Sequence, residues 1–168
     1  PDPLLRGTTR MYPIEMLFAE SAPQPAGCGE RRLLSLVLPP WQRPEVWTPL
    51  QKRRFVEGIF LGFGLGCYVT NGMEWLENGA PAPMAGWLID GQQRISALRD
   101  FVQGDMVIFD DVSYQSLSNP ERIRFMKKNF DRFELSYVSD EERLKELYDR
   151  LNFGGTAHED HERASLAP

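Results

Sequence analysis

The segment Trp87-Leu88-Ile89-Asp90-Gly91-Gln92-Gln93-Arg94 constrains this chain more than any other. Its three apolar residues read as a short buried strand. A helical pattern follows directly, with Ile95, Leu98 and Phe101 or Val102 facing inward and Gly104 as the stop. A strand that enters a helix through a glycine leaves backbone N–H groups unpaired at the positive end of the helix dipole. Such an end attracts anions, phosphate above all. Gly91 permits close approach of a ligand. Arg94, in the first turn, can grip a phosphate with two hydrogen bonds. Gln92 and Gln93 offer donors and acceptors, and Asp90 can hold magnesium or orient a water. A plainer reading stands beside this one. Asp90 and Gln93 have the spacing of an Asp-x-x-Gln capping box, which needs no ligand.

Other elements follow from pattern and punctuation. Residues 1 to 12 are polar and Pro-rich and are expected to be poorly ordered. A short helix is expected over Pro13 to Glu20, and a strand over Leu33 to Leu38, stopped by Pro39-Pro40. Thr48, Pro49 and Gln51 mark a helix start by capping box and first-turn proline, and Phe55, Val56, Ile59 and Phe60 share its inner face. Cys67 to Thr70, Met106 to Phe109 and Phe133 to Val138 read as strands, and Pro120 to Asn129 as a helix. Ser139-Asp140-Glu141-Glu142 is a further capping box, opening a helix that carries Leu144, Leu147, Tyr148 and Leu151. Strands and helices alternate irregularly, so the fold class is α+β, or mixed α/β, with one small sheet.

At 168 residues the chain is about one domain long. No stretch approaches the roughly 20 apolar residues of a membrane span, and no basic-then-apolar N-terminal signal is present. Two cysteines, Cys28 and Cys67, lie far apart without a Cys-x-x-Cys step, which argues against structural zinc and fits a reducing cytoplasm. A net charge of −5 does not favour nucleic acid over the whole surface. A local basic run, Gln51-Lys52-Arg53-Arg54, offers Arg53 and Arg54 as DNA contacts, though a solvated helix face is the plainer explanation. His158 and His161, set among carboxylates, read as exposed surface rather than metal ligands.

Three segments together resemble a known family. Leu88-Ile89-Asp90-Gly91-Gln92-Gln93-Arg94-Ile95-Ser96-Ala97-Leu98 is similar to the DGQQR signature of the N-terminal domain of GmrSD-type modification-dependent restriction enzymes. Pro40-Trp41-Gln42-Arg43 with Val46-Trp47 resembles that family's P-x-Q-R-x-x-V-W element. Arg150-Leu151-Asn152-Phe153-Gly154-Gly155-Thr156 resembles its R-x-N-x-G-G-T element. The match runs over residues 13 to 164. It implies a ParB/sulfiredoxin-like core whose central loop binds nucleotide phosphates. Carried over, Asp90 and Arg94 would be catalytic, and Gly91, Gln92 and Gln93 would complete the phosphate loop. Gln42, Arg43, Asn152, Gly154, Gly155 and Thr156 would approach the same pocket. Sulfiredoxin chemistry needs a cysteine where this loop carries glutamine, so that reaction is rejected. The resemblance also implies a helical region and an HNH nuclease domain beyond the third motif. The sequence ends about a dozen residues after it, and the expectation is a domain without them.

Three functions fit these expectations. The first is a nucleoside-triphosphate-binding protein, with magnesium and hydrolysis as extensions. The second is a stand-alone DNA nickase or endonuclease on the same loop. The third is a non-catalytic protein, phage- or plasmid-borne, that binds a host or defence protein.

Overall fold

The computed structural model describes residues 3–19, 27 and 29–153 and has the expected α+β architecture. One mixed sheet is built from β1 (Gly7–Arg10), β4 (Cys67–Thr70), β5 (Leu88–Asp90) and β6 (Asp131–Leu135). β2 (Arg31–Leu33) and β3 (Leu36–Leu38) form a separate hairpin. The helices are α1 (Pro49–Phe60), α2 (Gln92–Gln103), α3 (Asn119–Met126) and α4 (Glu141–Phe153), with short 3-10 turns at Ile14–Phe18 and Tyr114–Ser116. The sheet order is β1-β6-β4-β5. β6 pairs antiparallel with β1 and parallel with β4, and β4 pairs antiparallel with β5.

Successive side chains on a strand point to opposite faces, and here both faces are buried. Tyr68 and Leu88 join Ile14, Val56, Ile59, Ile95, Leu98, Phe101 and Phe125 in one core. Val69 and Ile89 join Trp87, Leu135, Leu144, Leu147 and Tyr148 in the other. α1, α2 and α3 therefore serve one face and α4 the other. Burial on both sides is why Leu88-Ile89 reads as an unbroken apolar run.

α1 begins as its sequence predicts. Thr48 Oγ1 accepts the Gln51 N–H at 3.2 Å, and Gln51 Oε1 accepts the Thr48 N–H at 2.8 Å. α2 ends at Gly104, whose φ of 92° terminates the helix in the left-handed conformation. A buried asparagine ties distant segments together. Asn71 donates to the carbonyls of Met84 (2.9 Å) and Val138 (3.0 Å) and accepts the N–H of Gly72 (3.1 Å) and Val138 (3.0 Å).

Several local expectations are corrected. Gly7–Arg10, placed in a poorly ordered segment, is an edge strand held by the ladder to β6. Leu33 to Leu38 is a hairpin, not one strand: the chain reverses at Leu34, with φ 52°, and Ser35 N–H bonds to the Leu17 carbonyl at 2.9 Å. Met106 to Phe109 is no strand, because Phe109 and Asp110 take positive φ and close a turn between Ile108 and Val112. The last strand stops at Leu135, since Val138 pairs with Asn71 instead of with the sheet. α4 is capped by Asp140, whose Oδ1 accepts the Glu142 N–H at 3.1 Å.

Candidate functional site

β5 delivers Asp90 and Gly91 to the start of α2. Gly91 is buried with φ 111°, and a β-carbon there would lie 2.5 Å from Tyr68 Cβ, so only glycine fits. The first bond of the helix runs from the Ile95 N–H to the Gly91 carbonyl at 3.0 Å. The amides of Gln92, Gln93 and Arg94 precede it, and the N-cap residue, Gly91, supplies them no side-chain bond. The Asp90/Gln93 capping box does not form.

Gln93 is used elsewhere. Its Oε1 accepts the backbone N–H of Val46 (2.9 Å) and of Trp47 (3.0 Å), so the side chain fastens the loop after the double proline onto α2. An ion cluster fixes the same loop from the other side. Lys52 Nζ lies 2.6 Å from Glu45 and 2.5 Å from Asp100, and Arg99 Nη2 lies 3.0 Å from Glu45 and 2.7 Å from Asp100. Burial alone would push the Glu45 carboxyl up, but Lys52, Ser96 and Arg99 outweigh it and hold the group below its ordinary range.

Arg94 does not reach outward. Its Nη1 donates to the Leu65 carbonyl (3.1 Å), and its Nη2 donates to the Cys67 carbonyl (2.9 Å) and to Asp90 Oδ2 (2.9 Å). The guanidinium carbon sits 5.6 Å from the centre of the Phe130 ring. The arginine expected to grip a phosphate is thus committed to bracing Asp90 and β4. Burial pushes the Asp90 carboxyl above its ordinary value, while Arg94, the Gly91 N–H and Arg43 oppose that rise.

Beside this helix end lies a polar cleft of about 130 Å³. Gln42, Arg43 and Trp47 line it from the loop, Asp90 to Arg94 from the strand–helix junction, and Tyr148 and Asn152 from α4. Gln42 Oε1 and Gln93 Nε2 are buried without a hydrogen-bond partner among the described residues. Buried polar atoms are nearly always paired, so such a concentration around one cleft is a mark of a ligand or ordered water. Burial raises the Tyr148 phenol above its ordinary value, with the Arg43 charge and backbone opposing. Asn152 Nδ2 bonds back to the Tyr148 carbonyl at 2.9 Å.

Of the residues singled out by sequence, Gln42, Arg43, Asp90, Gly91, Gln92, Gln93, Arg94 and Asn152 therefore surround one space. Gly154, Gly155 and Thr156 lie outside the described residues, as do His158 and His161. Arg53 and Arg54 lie on α1, the first half-buried and the second exposed, and neither lines the cleft. Sequence reasoning did not place Trp47 or Tyr148 at the cleft. Trp47 adjoins the motif, but nothing in the local pattern aimed it there.

The model of the GmrSD restriction endonuclease N-terminal domain matches residues 28–165. The chain belongs to this family. No curated protein and no solved structure matches it. The family match spans every element that lines the cleft. Among the described residues, no helix is long and apolar enough to cross a membrane.

Proposed function

We propose that this restriction-related domain binds nucleotides through their phosphates in the cleft at the start of α2. The observation that carries this reading is a helix end without an N-cap side-chain bond, opening beside Arg43 and buried, unpaired Gln42 and Gln93 atoms. Free amides at the positive end of a helix dipole and a guanidinium supply what phosphate charge requires. Arg43 is the charged contact, and Arg94 is a positioning residue that sets Asp90. Hydrolysis of the terminal phosphoanhydride would need a water oriented by Asp90, with the developing charge held by the α2 amides and Arg43. Asp90 is the only carboxylate among the described residues that line the cleft, and Arg94 already engages it. These residues do not make a magnesium site by themselves, so a metal would arrive on the nucleotide.

Titration with ATP, GTP, CTP and UTP, with and without magnesium, tests the reading. Saturable binding is expected, displaced by inorganic phosphate and weakened about tenfold or more by Arg43→Ala. Binding of none of the four would end it and favour a non-catalytic interaction protein. The family match favours one second reading, cleavage of a DNA phosphodiester in the same cleft. Nicking of supercoiled plasmid that is abolished by Asp90→Ala would support it.

A further inference from the structure

A second cavity, of about 300 Å³, shares no described lining residue with the cleft at Gly91. Its volume stands at the lower bound of small-molecule sites, roughly 300–1,000 Å³. Tyr12, Met16, Tyr68, Met73, Trp75 and Arg132 contribute to its wall.

The chemistry of this wall is that of a surface for a π-system. Trp75 is 57% exposed although it is the largest side chain at the cavity, so an aromatic face is left available there. Methionine sulfur favours aromatic neighbours. The Arg132 guanidinium stands 5.9 Å from the centre of the Tyr12 ring. It also donates to Thr70 Oγ1 at 2.8 Å and lies 3.4 Å from Glu134, which balances its charge. The cavity is therefore not an anion site like the first. Tyr68 is only 3% exposed, and it lines the cavity. Burial pushes that phenol up to about 12, with Arg132 opposing, so it remains a neutral donor at physiological pH. A phenol donor in the wall of an aromatic cavity suits a ligand acceptor, such as a ring carbonyl.

We propose that this cavity binds a planar heteroaromatic ring of the nucleobase class, stacked against Trp75 and Tyr12 and held through a ring carbonyl by the Tyr68 hydroxyl. The ring can come from a free nucleoside or from a base in a single strand, since both present the same face and edge. Stacking tolerates any base, whereas the hydroxyl discriminates in favour of those with a carbonyl.

Unphosphorylated nucleosides test this, because they carry nothing for the other cleft to hold. Thymidine, uridine, guanosine, cytidine and adenosine are titrated while tryptophan fluorescence is followed, alongside a short oligothymidylate. Saturable binding of a carbonyl-bearing nucleoside is expected, unaffected by inorganic phosphate. Trp75→Ala should weaken it about tenfold, and it is exposed enough to leave the fold intact. Tyr68→Phe, which removes only the hydroxyl, should weaken it about fivefold. Tighter binding of the oligothymidylate than of thymidine identifies a base in a strand as the occupant, and equal binding identifies the free nucleoside. The proposal is overturned if none of these saturates. It is overturned equally if the binding is displaced by phosphate and indifferent to both substitutions.

Discussion

The side-chain carbonyl of Gln93 accepts the backbone N–H of Trp47 at 3.0 Å, across an interval of 46 residues. With the matching bond from Val46, one glutamine on α2 sets the position of the loop that brings Gln42, Arg43 and Trp47 to the cleft. Two of the segments that carry the family resemblance are thus physically joined. Gln93→Met keeps the bulk and removes the acceptor. Hydrogen exchange at the Val46 and Trp47 amides should accelerate by about tenfold, with a loss of roughly 1–3 kcal/mol in stability. Unchanged exchange would mean that the Glu45 cluster holds the loop unaided.

Arg94 is bonded to the protein around it at three oxygens. Arg94→Ala removes the guanidinium donor from the Leu65 and Cys67 carbonyls and from the half-buried Asp90 carboxylate. A destabilisation of about 2–3 kcal/mol is expected from urea unfolding. Arg94→Lys should recover less than half of it, since a single ammonium cannot reproduce a planar fork to three oxygens. A double-mutant cycle with Asp90→Asn should show coupling of about 1 kcal/mol or more. Additive losses would break the argument that the arginine positions Asp90.

Two carboxyls near the loop act on stability with opposite signs. In Glu45, burial is outweighed by Lys52, Ser96 and Arg99, so the folded value is below the ordinary 4.5. Its stabilisation is fully present above the unfolded value and is lost as pH falls through the folded one. In Asp90, burial lifts the folded value above the ordinary 3.8, against Arg94, the Gly91 N–H and Arg43. That group favours the folded state at acid pH, and the contribution is lost as pH rises through the folded value. Urea unfolding from pH ~3 to ~7 should therefore show a shallower acid limb for Glu45→Gln and a steeper one for Asp90→Asn. Parallel limbs in both variants would contradict the assignment.

Asn71 has four bonds to three other residues and no exposed surface. Asn71→Ala strands the Met84 and Val138 carbonyls and two N–H groups. A cost of about 3 kcal/mol or more is expected in the unfolding free energy. Asn71→Asp, which keeps the acceptor but sets an anion against two carbonyls, should be no better. A loss under about 1 kcal/mol would show that solvent reaches these groups.

Much of this molecule is written in local signals. The Thr48-Pro49-Gln51 start of α1, the Gly104 stop of α2 and the apolar Leu88-Ile89 run each depend on residues a few positions apart. The cleft's strand–helix junction was legible for the same reason. What stayed hidden depends on partners far along the chain. Asp90 and Gln93 have capping-box spacing, yet Gln93 is claimed by Val46 and Trp47. Arg94 looks free until carbonyls 27 and 29 residues earlier are brought against it. The apolar run Leu33 to Leu38 gave no hint of its reversal, because Leu34 takes a left-handed conformation without glycine. The role of Lys52 was lost inside a basic run, since Glu45, Arg99 and Asp100 complete its cluster only in three dimensions.

Tyr68 has its α- and β-carbons against Gly91 on one side, and the same residue walls the aromatic cavity on the other. One residue thus touches the glycine at which the cleft begins and also walls the second cavity. Close-packed interiors pass strain onward instead of absorbing it. Any shift of the Tyr68 backbone would therefore press on the peptide at which the α2 amides begin.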